Sequence, residues 1–564
     1  MNEFKEAIIK FLKKETNLGN IELEAPPNPE MGDYAFPCFI LAKEWKKTPN
    51  EIAQELIKKF KPNDLISEVK AIGPYSNFFI NKNKLAETTI KEILKQKDGF
   101  GSSGIGKGKK ILVEHTSINP NASPHVGRAR NALIGDAIVR ILKFQSYGVE
   151  THYFINDVGK QIAMLVLGAE GKKNISFKDL LKIYIDINSK VEEKPELEEK
   201  VLELLNLLEK GDKKIRKRFE RIVTTCVTGQ VKILSELGIR YDFFDYESKY
   251  LWSKKTEETL KRLEKTGKLF IDGFNRWVMD QKGYELGMKV PVLVLTRADG
   301  TSLYPLRDIA YNIYKVSKGD NIVILGEDQK LYQEQISATL KELKLKPPRV
   351  IHYSFVLLQE GKMSTRKGNL VLLEDFMKEA VDKASEEIKK RYNKSDLKSA
   401  KSIGYGAIKY SILKVSPEKN VAFNWEQALS FEGESAPSIQ YAYARISSIL
   451  NKHKKLHKHE HASFSKRRVR ANAGLLQEKE EIELVKSLFN FPEIVTKSTH
   501  DLRPHLIATY LYSLAQKFNE YYHIHQILKA EDKIRDARIL LITAVRQVIK
   551  NGLSLLGIDV LERM

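Results

Sequence analysis

The sequence predicts an α/β fold: a central domain built on a parallel sheet, a small α/β domain before it and an all-α domain after it. Three observations predict this. First, Ile111-Leu112-Val113 and Thr151-His152-Tyr153-Phe154-Ile155 read as strands, and Leu133, Ile134, Ala137, Ile138, Ile141 and Leu142 form one apolar helix face between them. A strand, helix and strand at this spacing make a crossover unit, which requires parallel strands. Second, strand patterns return at Val290–Leu295, Ile322–Leu325 and Ile351–Leu358. Third, from about residue 400 onward the periodicity is helical, broken by a basic, His-rich stretch at 451–472.

Phe4, Ile8, Ile9, Phe11 and Leu12 recur at helical spacing, and Asn77-Phe78-Phe79-Ile80-Asn81 reads as a strand, giving the small first domain. Residues 96–110 carry Gly99, Gly101, Gly104, Gly106 and Gly108 and read as a flexible boundary. The helix after the first parallel strand is expected from about Gly127 to Tyr147, closed by Gly148 as the left-handed glycine. Residues 170–240 are charged and helical, an insertion into the central domain. The expected domains are 1–97, 108–430 and 431–564.

Lys and Arg outnumber Asp and Glu by 94 to 73, a formal charge of +21, which favours a polyanionic partner, nucleic acid first. The two cysteines, Cys38 and Cys226, exclude a disulfide framework and a Cys-based zinc cluster and fit a reducing cytosol, so a cytoplasmic protein is expected. No run of 18 apolar residues exists and the N-terminus lacks a leader pattern, so no membrane association is expected.

Two short motifs carry chemistry. Pro124-His125-Val126-Gly127-Arg128 lies between a strand and a helix start. A helix start offers free N–H groups and a positive dipole end to an anion. Gly127 admits a nucleotide close to the backbone, and His125 can donate to a phosphate as its charge grows. Read alone, His125 is equally well a structural loop histidine. The second motif, Gly361-Lys362-Met363-Ser364-Thr365-Arg366-Lys367-Gly368-Asn369, sets three cations between glycines after an apolar strand. Such a turn can close over a triphosphate; in isolation it reads as a solvated basic turn. The pairing shifts the balance, because both motifs follow predicted parallel strands, and doubly wound sheets bind ligands at those strand ends.

The pair resembles the "HIGH" and "KMSKS" signatures of class I aminoacyl-tRNA synthetases. The surrounding text resembles the arginyl family in particular: Val113-Glu114-His115-Thr116-Ser117-Ile118-Asn119-Pro120-Asn121, Arg128-Ala129-Arg130-Asn131-Ala132, Ile134-Gly135-Asp136, Asn156-Asp157-Val158-Gly159-Lys160-Gln161, Leu306-Arg307-Asp308-Ile309-Ala310-Tyr311 and Ser430-Phe431-Glu432-Gly433. The likeness runs nearly the whole chain. Arg128 stands where the second signature histidine would, and Thr365 where the last signature lysine would, with Arg366 and Lys367 behind it. The resemblance implies a Rossmann-like catalytic domain, ATP as substrate with Mg²⁺, L-arginine and tRNA(Arg) as partners, a monomer, and arginine activation only with tRNA bound. It implies catalytic and ATP-binding roles for His125, Gly127, Arg128, Lys362, Met363, Ser364, Arg366 and Lys367.

Arginine brings a planar, permanently charged guanidinium, which calls for a carboxylate in fork geometry beside a polar aromatic wall. Tyr304 and Asp308, four apart, share one face if the segment is helical. The resemblance makes these two the side-chain pocket and puts Glu114, Asn119 and Gln329 near the ammonium group. Glu114 follows an apolar strand, so it needs a partner, either the ligand or an arginine. Residues 431–564 resemble the family's helical anticodon-binding domain, with Arg445, Tyr522 and Met564 near the anticodon and Ser438 where a tyrosine is common. Tyr522 has an alternative place in the apolar core of its helix. The first 97 residues resemble the domain that grips the outer corner of the tRNA, with Tyr75 and Asn77 as candidates for a loop base. His453, His457 and His461 have metal-ligand spacing, but with Lys466-Arg467-Arg468 alongside they read as a phosphate-touching basic stretch, and no structural metal is expected. The rival reading is a non-aminoacylating paralogue that binds tRNA or other RNA, for which Arg128 is the support.

Overall fold

The apolar triplet Ile111–Val113 sits in the middle strand of a five-stranded sheet, where both faces are covered. A computed structural model describes residues 3–358, 371–393, 396–456 and 472–564. Across the sheet the order is Arg349–Tyr353, Asp320–Gly326, Lys110–Glu114, Gly148–Ile155, Phe243–Tyr246, and every neighbouring pair is parallel. The chain builds outward from Lys110–Glu114 in one direction, then restarts on its other side with Asp320–Gly326. That reversal opens a crevice at the carboxyl ends of these two central strands.

The first crossover helix, Val126–Phe144, buries the predicted face and much of the rest, because it is covered by the sheet, by the helix Leu397–Leu413 and by C-terminal helices. It ends earlier than expected. Ser146 takes the left-handed conformation (φ 65°), and Gly148 instead begins the next strand. Three helices, Phe177–Glu193, Pro195–Glu209 and Lys213–Glu236, form the insertion.

Two strand assignments need correction. The pattern at Val290–Leu295 yields Val292–Val294, which lies in a separate sheet and pairs antiparallel with Trp277–Asp280, whose other edge pairs antiparallel with Leu269–Ile271. The pattern at Ile351–Leu358 is two strands. Arg349–Tyr353 stays in the main sheet, whereas Val356–Leu358 pairs in parallel with Val421–Phe423. The break comes at Ser354-Phe355, whose carbonyls are taken by the buried Arg130 (Nη1 to Ser354 O 2.7 Å, to Phe355 O 3.4 Å). The second motif therefore follows a two-stranded pair, not the main sheet.

The first domain has an antiparallel sheet ordered Tyr34–Pro37, Tyr75–Ile80, Ile66–Ile72, with helices Glu3–Thr16, Pro49–Lys59 and Lys82–Gln96. Its connection to the main sheet is not a loose linker. Asn551 Nδ2 donates to Lys97 O and Phe100 O, Ser102 Oγ to Phe144 O, and Ser103 to Gln145 Oε1. Gly101 adopts φ 105° where an added Cβ would stand 2.4 Å from the Phe491 ring. The glycines permit close packing here, not flexibility.

The C-terminal helices Ala436–Leu456, Lys479–Asp501, His505–Ile524 and Asp532–Leu555 share one continuous core with the rest. They dock on both preceding domains: Phe489 packs edge-on against Phe4, Lys486 pairs with Asp33 (2.5 Å), and buried Lys409 donates to Gly557 O. Among the described residues, no helix is long and apolar enough to cross a membrane.

Candidate active site

The strand Lys110–Glu114 delivers the chain into a tight loop that ends at His125. Thr116 (φ 78°) and Ser117 (φ 41°) are both left-handed, a strained pair for non-glycine residues. Hydrogen bonds hold the strain: Asn131 Oδ1 accepts from Thr116 N (2.5 Å), and Thr116 Oγ1 lies 2.6 Å from the Tyr241 hydroxyl. The ring of His115 fills the space beside Gly135, where a Cβ would come within 2.3 Å. This packing seats the Val126–Phe144 helix directly on the loop.

His125 is the N-cap of that helix, yet its side chain makes no capping bond. Its Nδ1 is buried without a partner. Burial, then the nearby Arg128, lowers its pKa to about 4. At neutral pH it is thus an uncharged donor, and the cation at this helix start is Arg128, in the first turn beside Gly127. A cation at the positive end of a helix dipole is unfavourable until an anion joins it.

The second motif, with Lys362, Met363, Ser364, Arg366 and Lys367, lies outside the described residues. Its two flanks do not. Upstream, Arg130 anchors Ser354 and Phe355, and Arg130 Nη2 also donates to Ser416 O (3.0 Å). Downstream, Val126 N donates to Val371 O (3.2 Å), Leu373 N donates to Pro124 O (2.8 Å), and Leu372 bridges to His125. Two segments more than 200 residues apart are therefore stitched together at the His125 turn.

Near Glu114, the last residue of the strand Lys110–Glu114, carboxylates gather. Tyr304 and Asp308 do share a helix, Tyr304–Val316, with Tyr304 exposed at its first turn. Asp308 Oδ2 accepts from the Tyr332 hydroxyl (2.8 Å) and Oδ1 from Asn312 Nδ2 (2.9 Å). Among the described residues, no cation forms an ion pair with it. Burial raises its pKa to about 6; Lys315 opposes this, Glu114 adds to it, the Tyr332 bond lowers it and Glu247 raises it. Within the protein the partner of Glu114 is a lysine and not an arginine: Lys315 Nζ meets its Oε2 at 2.5 Å, with both side chains buried. Arg307 is likewise committed to the buried Glu247 (2.7 Å). The nearby cations Lys315 and Arg307 are thus each paired with a different carboxylate from Asp308.

The remaining expected residues fall as follows. Asn119 is exposed and donates to Gln161 Oε1 (3.2 Å), in a cleft also lined by Asn156, Gly159 and Lys160. Gln329 is exposed in the turn Glu327–Gln329, bonded to Asp328 (3.2 Å). Tyr75 packs edge-on against the exposed Phe39, whereas Asn77 is 2% exposed with its Oδ1 unpartnered. Arg445 lies between the rings of Tyr441 and Tyr522, 4.7 and 4.9 Å from their centroids, and donates to Asn519. Tyr522 is 38% exposed while Phe518 and Tyr521 are fully buried, so it is not a core aromatic. Met564 packs partly buried against the C-terminal core. Ser438 is buried, its hydroxyl bonded to Ser435 O. His457, His461 and Lys466-Arg467-Arg468 lie outside the described residues. Among those described, no group of three His, Cys, Asp or Glu could hold a metal.

Sequence reasoning missed Tyr332, Asn312, Lys315 and Arg130. Asn312 had a usable signal, being one helical turn beyond Asp308, and Tyr332 is three residues past Gln329. Lys315 and Arg130 gave none, since their partners lie 201 and 224 positions away.

Comparison with known proteins finds the same family along the whole chain. Residues 89–425 match the family model described as "tRNA synthetases class I (R), catalytic domain". Residues 439–564 match "DALR anticodon binding domain" and residues 1–80 "Arginyl tRNA synthetase N terminal domain". The chain is 41% identical to the arginine–tRNA ligase of Methanocaldococcus jannaschii, covering 100% of this chain and 99% of that one. It is 37% identical to the arginine–tRNA ligase of Pyrococcus abyssi, covering 97% and 96%. Its structure resembles Thermus thermophilus arginyl-tRNA synthetase with a TM-score of 0.82 at 28% identity, over 100% of this chain and 99% of that chain.

Proposed function

The chain belongs to the arginyl-tRNA synthetases of class I, and on that premise we propose that its reaction is divided between two oppositely charged ends of one crevice. The enzyme is an arginine–tRNA ligase. It joins arginine to ATP as arginyl-adenylate, releasing pyrophosphate, and passes the arginyl group to the terminal ribose of tRNA(Arg).

At the acidic end, Asp308 receives the guanidinium, with Tyr304 as the polar aromatic wall. Glu114, Asn119 and Gln329 face the α-ammonium and carboxylate. Glu114 keeps one oxygen for this while Lys315 holds the other. At the basic end, the start of the Val126–Phe144 helix takes the phosphates. His125 donates as a neutral imidazole, Gly127 admits the nucleotide, and Arg128 supplies charge in place of a second histidine, with a wider fork of donors. Lys362, Met363, Ser364, Arg366 and Lys367 cover the β- and γ-phosphates and stabilise the charge that grows as pyrophosphate leaves. Mg²⁺ travels with ATP on its phosphate oxygens. The arginine carboxylate attacks the α-phosphorus in line, so catalysis is positioning plus charge stabilisation, with no covalent enzyme intermediate. The anticodon loop stacks near Tyr522 and Arg445, with Met564 alongside; Tyr75 meets the outer corner of the tRNA, and Asn77, buried in the same strand, supports that surface without reaching it. The enzyme works as a cytoplasmic monomer, without membrane contact, and activates arginine only with tRNA bound.

One observation supports this reading: Asp308 is a part-buried carboxylate with neutral donors on both oxygens and no ion-pair partner among the described residues, near Glu114 at the end of the strand that leads into the His125 loop. The test is ATP–pyrophosphate exchange with each of the twenty amino acids, with and without tRNA. Exchange with arginine alone, and only when tRNA is present, is expected; exchange with another amino acid would overturn the pocket.

A further inference from the structure

The pocket reading leaves open how one carboxylate prefers a guanidinium to an ammonium, since either cation would satisfy its charge. The contacts around Asp308 answer this, and the inference rests on Asp308 being the guanidinium acceptor. Each oxygen of Asp308 already receives one neutral donor: the Tyr332 hydroxyl on Oδ2 (2.8 Å) and Asn312 Nδ2 on Oδ1 (2.9 Å). A carboxylate offers about four acceptor sites, two per oxygen. With one site on each oxygen occupied, the plane of the group is fixed and one site per oxygen stays open. Two parallel acceptors suit the two parallel N–H bonds of a guanidinium edge. A lysine ammonium is a point charge and cannot fill both in that geometry.

Tyr332 has a second contact. Its ring lies 5.1 Å from the ring of Tyr304, tilted by 48°. It is the common neighbour of both residues that meet the substrate side chain, and it is rooted in a different helix, Lys330–Glu342, which follows the adjacent strand. Asn312 comes from the same helix as Asp308, one turn on, and also donates to the Asp308 carbonyl (3.0 Å). Asp308 is thus clamped from its own helix on one side and from the helix packed beside it on the other.

We propose that Tyr332 is a positioning residue for arginine selectivity: with Asn312 it locks the Asp308 carboxylate into a fork that only a guanidinium fills. Tyr332 does not itself take part in adenylate formation. It acts through Asp308 and Tyr304.

The test is Tyr332→Phe in the full-length enzyme, which keeps the ring and removes only the hydroxyl. Steady-state exchange with tRNA present should show KM for arginine rising roughly tenfold while kcat changes little, as for the loss of one hydrogen bond to a charged group. KM for ATP should not move. The ratio of kcat/KM for arginine over lysine should fall by a similar factor, because the freed carboxylate can turn to suit an ammonium. The acid limb of the arginine KM profile should shift to higher pH, since a donor that favours the ionised form is gone. Tyr332→His, which retains a donor, should recover part of the selectivity. A Tyr332→Phe enzyme with unchanged arginine KM, unchanged selectivity and an unmoved acid limb would overturn the proposal and leave Tyr332 a mere wall. That outcome differs from failure of the pocket itself, which would show as an unchanged arginine KM in Asp308→Ala.

Discussion

The two ends of the crevice solve opposite electrostatic problems with the same sheet. At the acidic end Glu114, Glu247 and Asp308 cluster, and two of the three carboxylates are neutralised internally by Lys315 and Arg307. At the basic end His125 stays neutral, and Arg128 sits at a helix start, where its charge is unwelcome alone. One end leaves a single negative charge unpaired, and the other leaves positive potential unpaired. Both are costly to the empty protein and favourable to the loaded one. Under the proposed function, arginine's guanidinium completes the first end and the phosphates of ATP the second, which is preorganisation in the electrostatic sense.

The sharpest way to break this contrast is Asp308→Ala. Removing a buried, hydrogen-bonded charge partner should lower kcat/KM for arginine about a thousandfold, while equilibrium ATP binding stays within about twofold. If both ligands weaken together, the two ends are not separate. Lys315→Met comes next. It leaves Glu114 buried without a counter-charge and should cost about 3 kcal/mol of unfolding free energy in urea titration, the usual result of breaking a buried pair from one side. An unchanged midpoint would mean that the acidic end tolerates more than one free carboxylate. Lys362→Ala should reduce kcat for adenylation by about a hundredfold with little effect on arginine KM.

Acidity gives the gentlest test. Asp308 has its pKa raised to about 6, so arginine KM should climb by about tenfold per pH unit below that point. His125, lowered to about 4, should leave ATP KM level from pH 5 to 8. The signs for stability are opposite too. The folded state holds the Asp308 proton more tightly than the unfolded chain does, so this group costs stability as pH rises from about 4 to 6. His125 is harder to protonate when folded, so it costs stability as pH falls from about 6.5 to 4. Arginine should therefore raise the melting temperature more at pH 7.5 than at pH 5, whereas the shift from ATP should stay level.

What could be read from the chain alone follows the range of the forces involved. The central strands, the Val126–Phe144 helix and the Tyr304–Asp308 spacing were legible because apolar period and i,i+4 geometry are local. The split at Ser354-Phe355 was not, because a guanidinium from Arg130 makes it, and no periodicity in residues 351–358 shows that. The stop at Ser146 was missed because tertiary packing overrode the nearby glycine. The protein partner of Glu114 was expected as an arginine and is Lys315, since charge demands a cation without saying which. Tyr332 shows the same limit: its hydroxyl matters only after two helices from separate crossovers are laid side by side.

The packed stretch around Gly101 has a practical meaning. Asn551 grips Lys97 and Phe100 and Phe491 lies against Gly101 in the connection itself, while Lys486 on Asp33, Phe489 on Phe4, and the helix Lys82–Gln96 packed on Lys479–Asp501 and Asp532–Leu555 fasten the first domain independently of it. A protease nick between residues 97 and 108 should therefore yield two fragments that still migrate together on a sizing column and separate only in denaturant. Cutting the tape does not release the piece it seems to tie on.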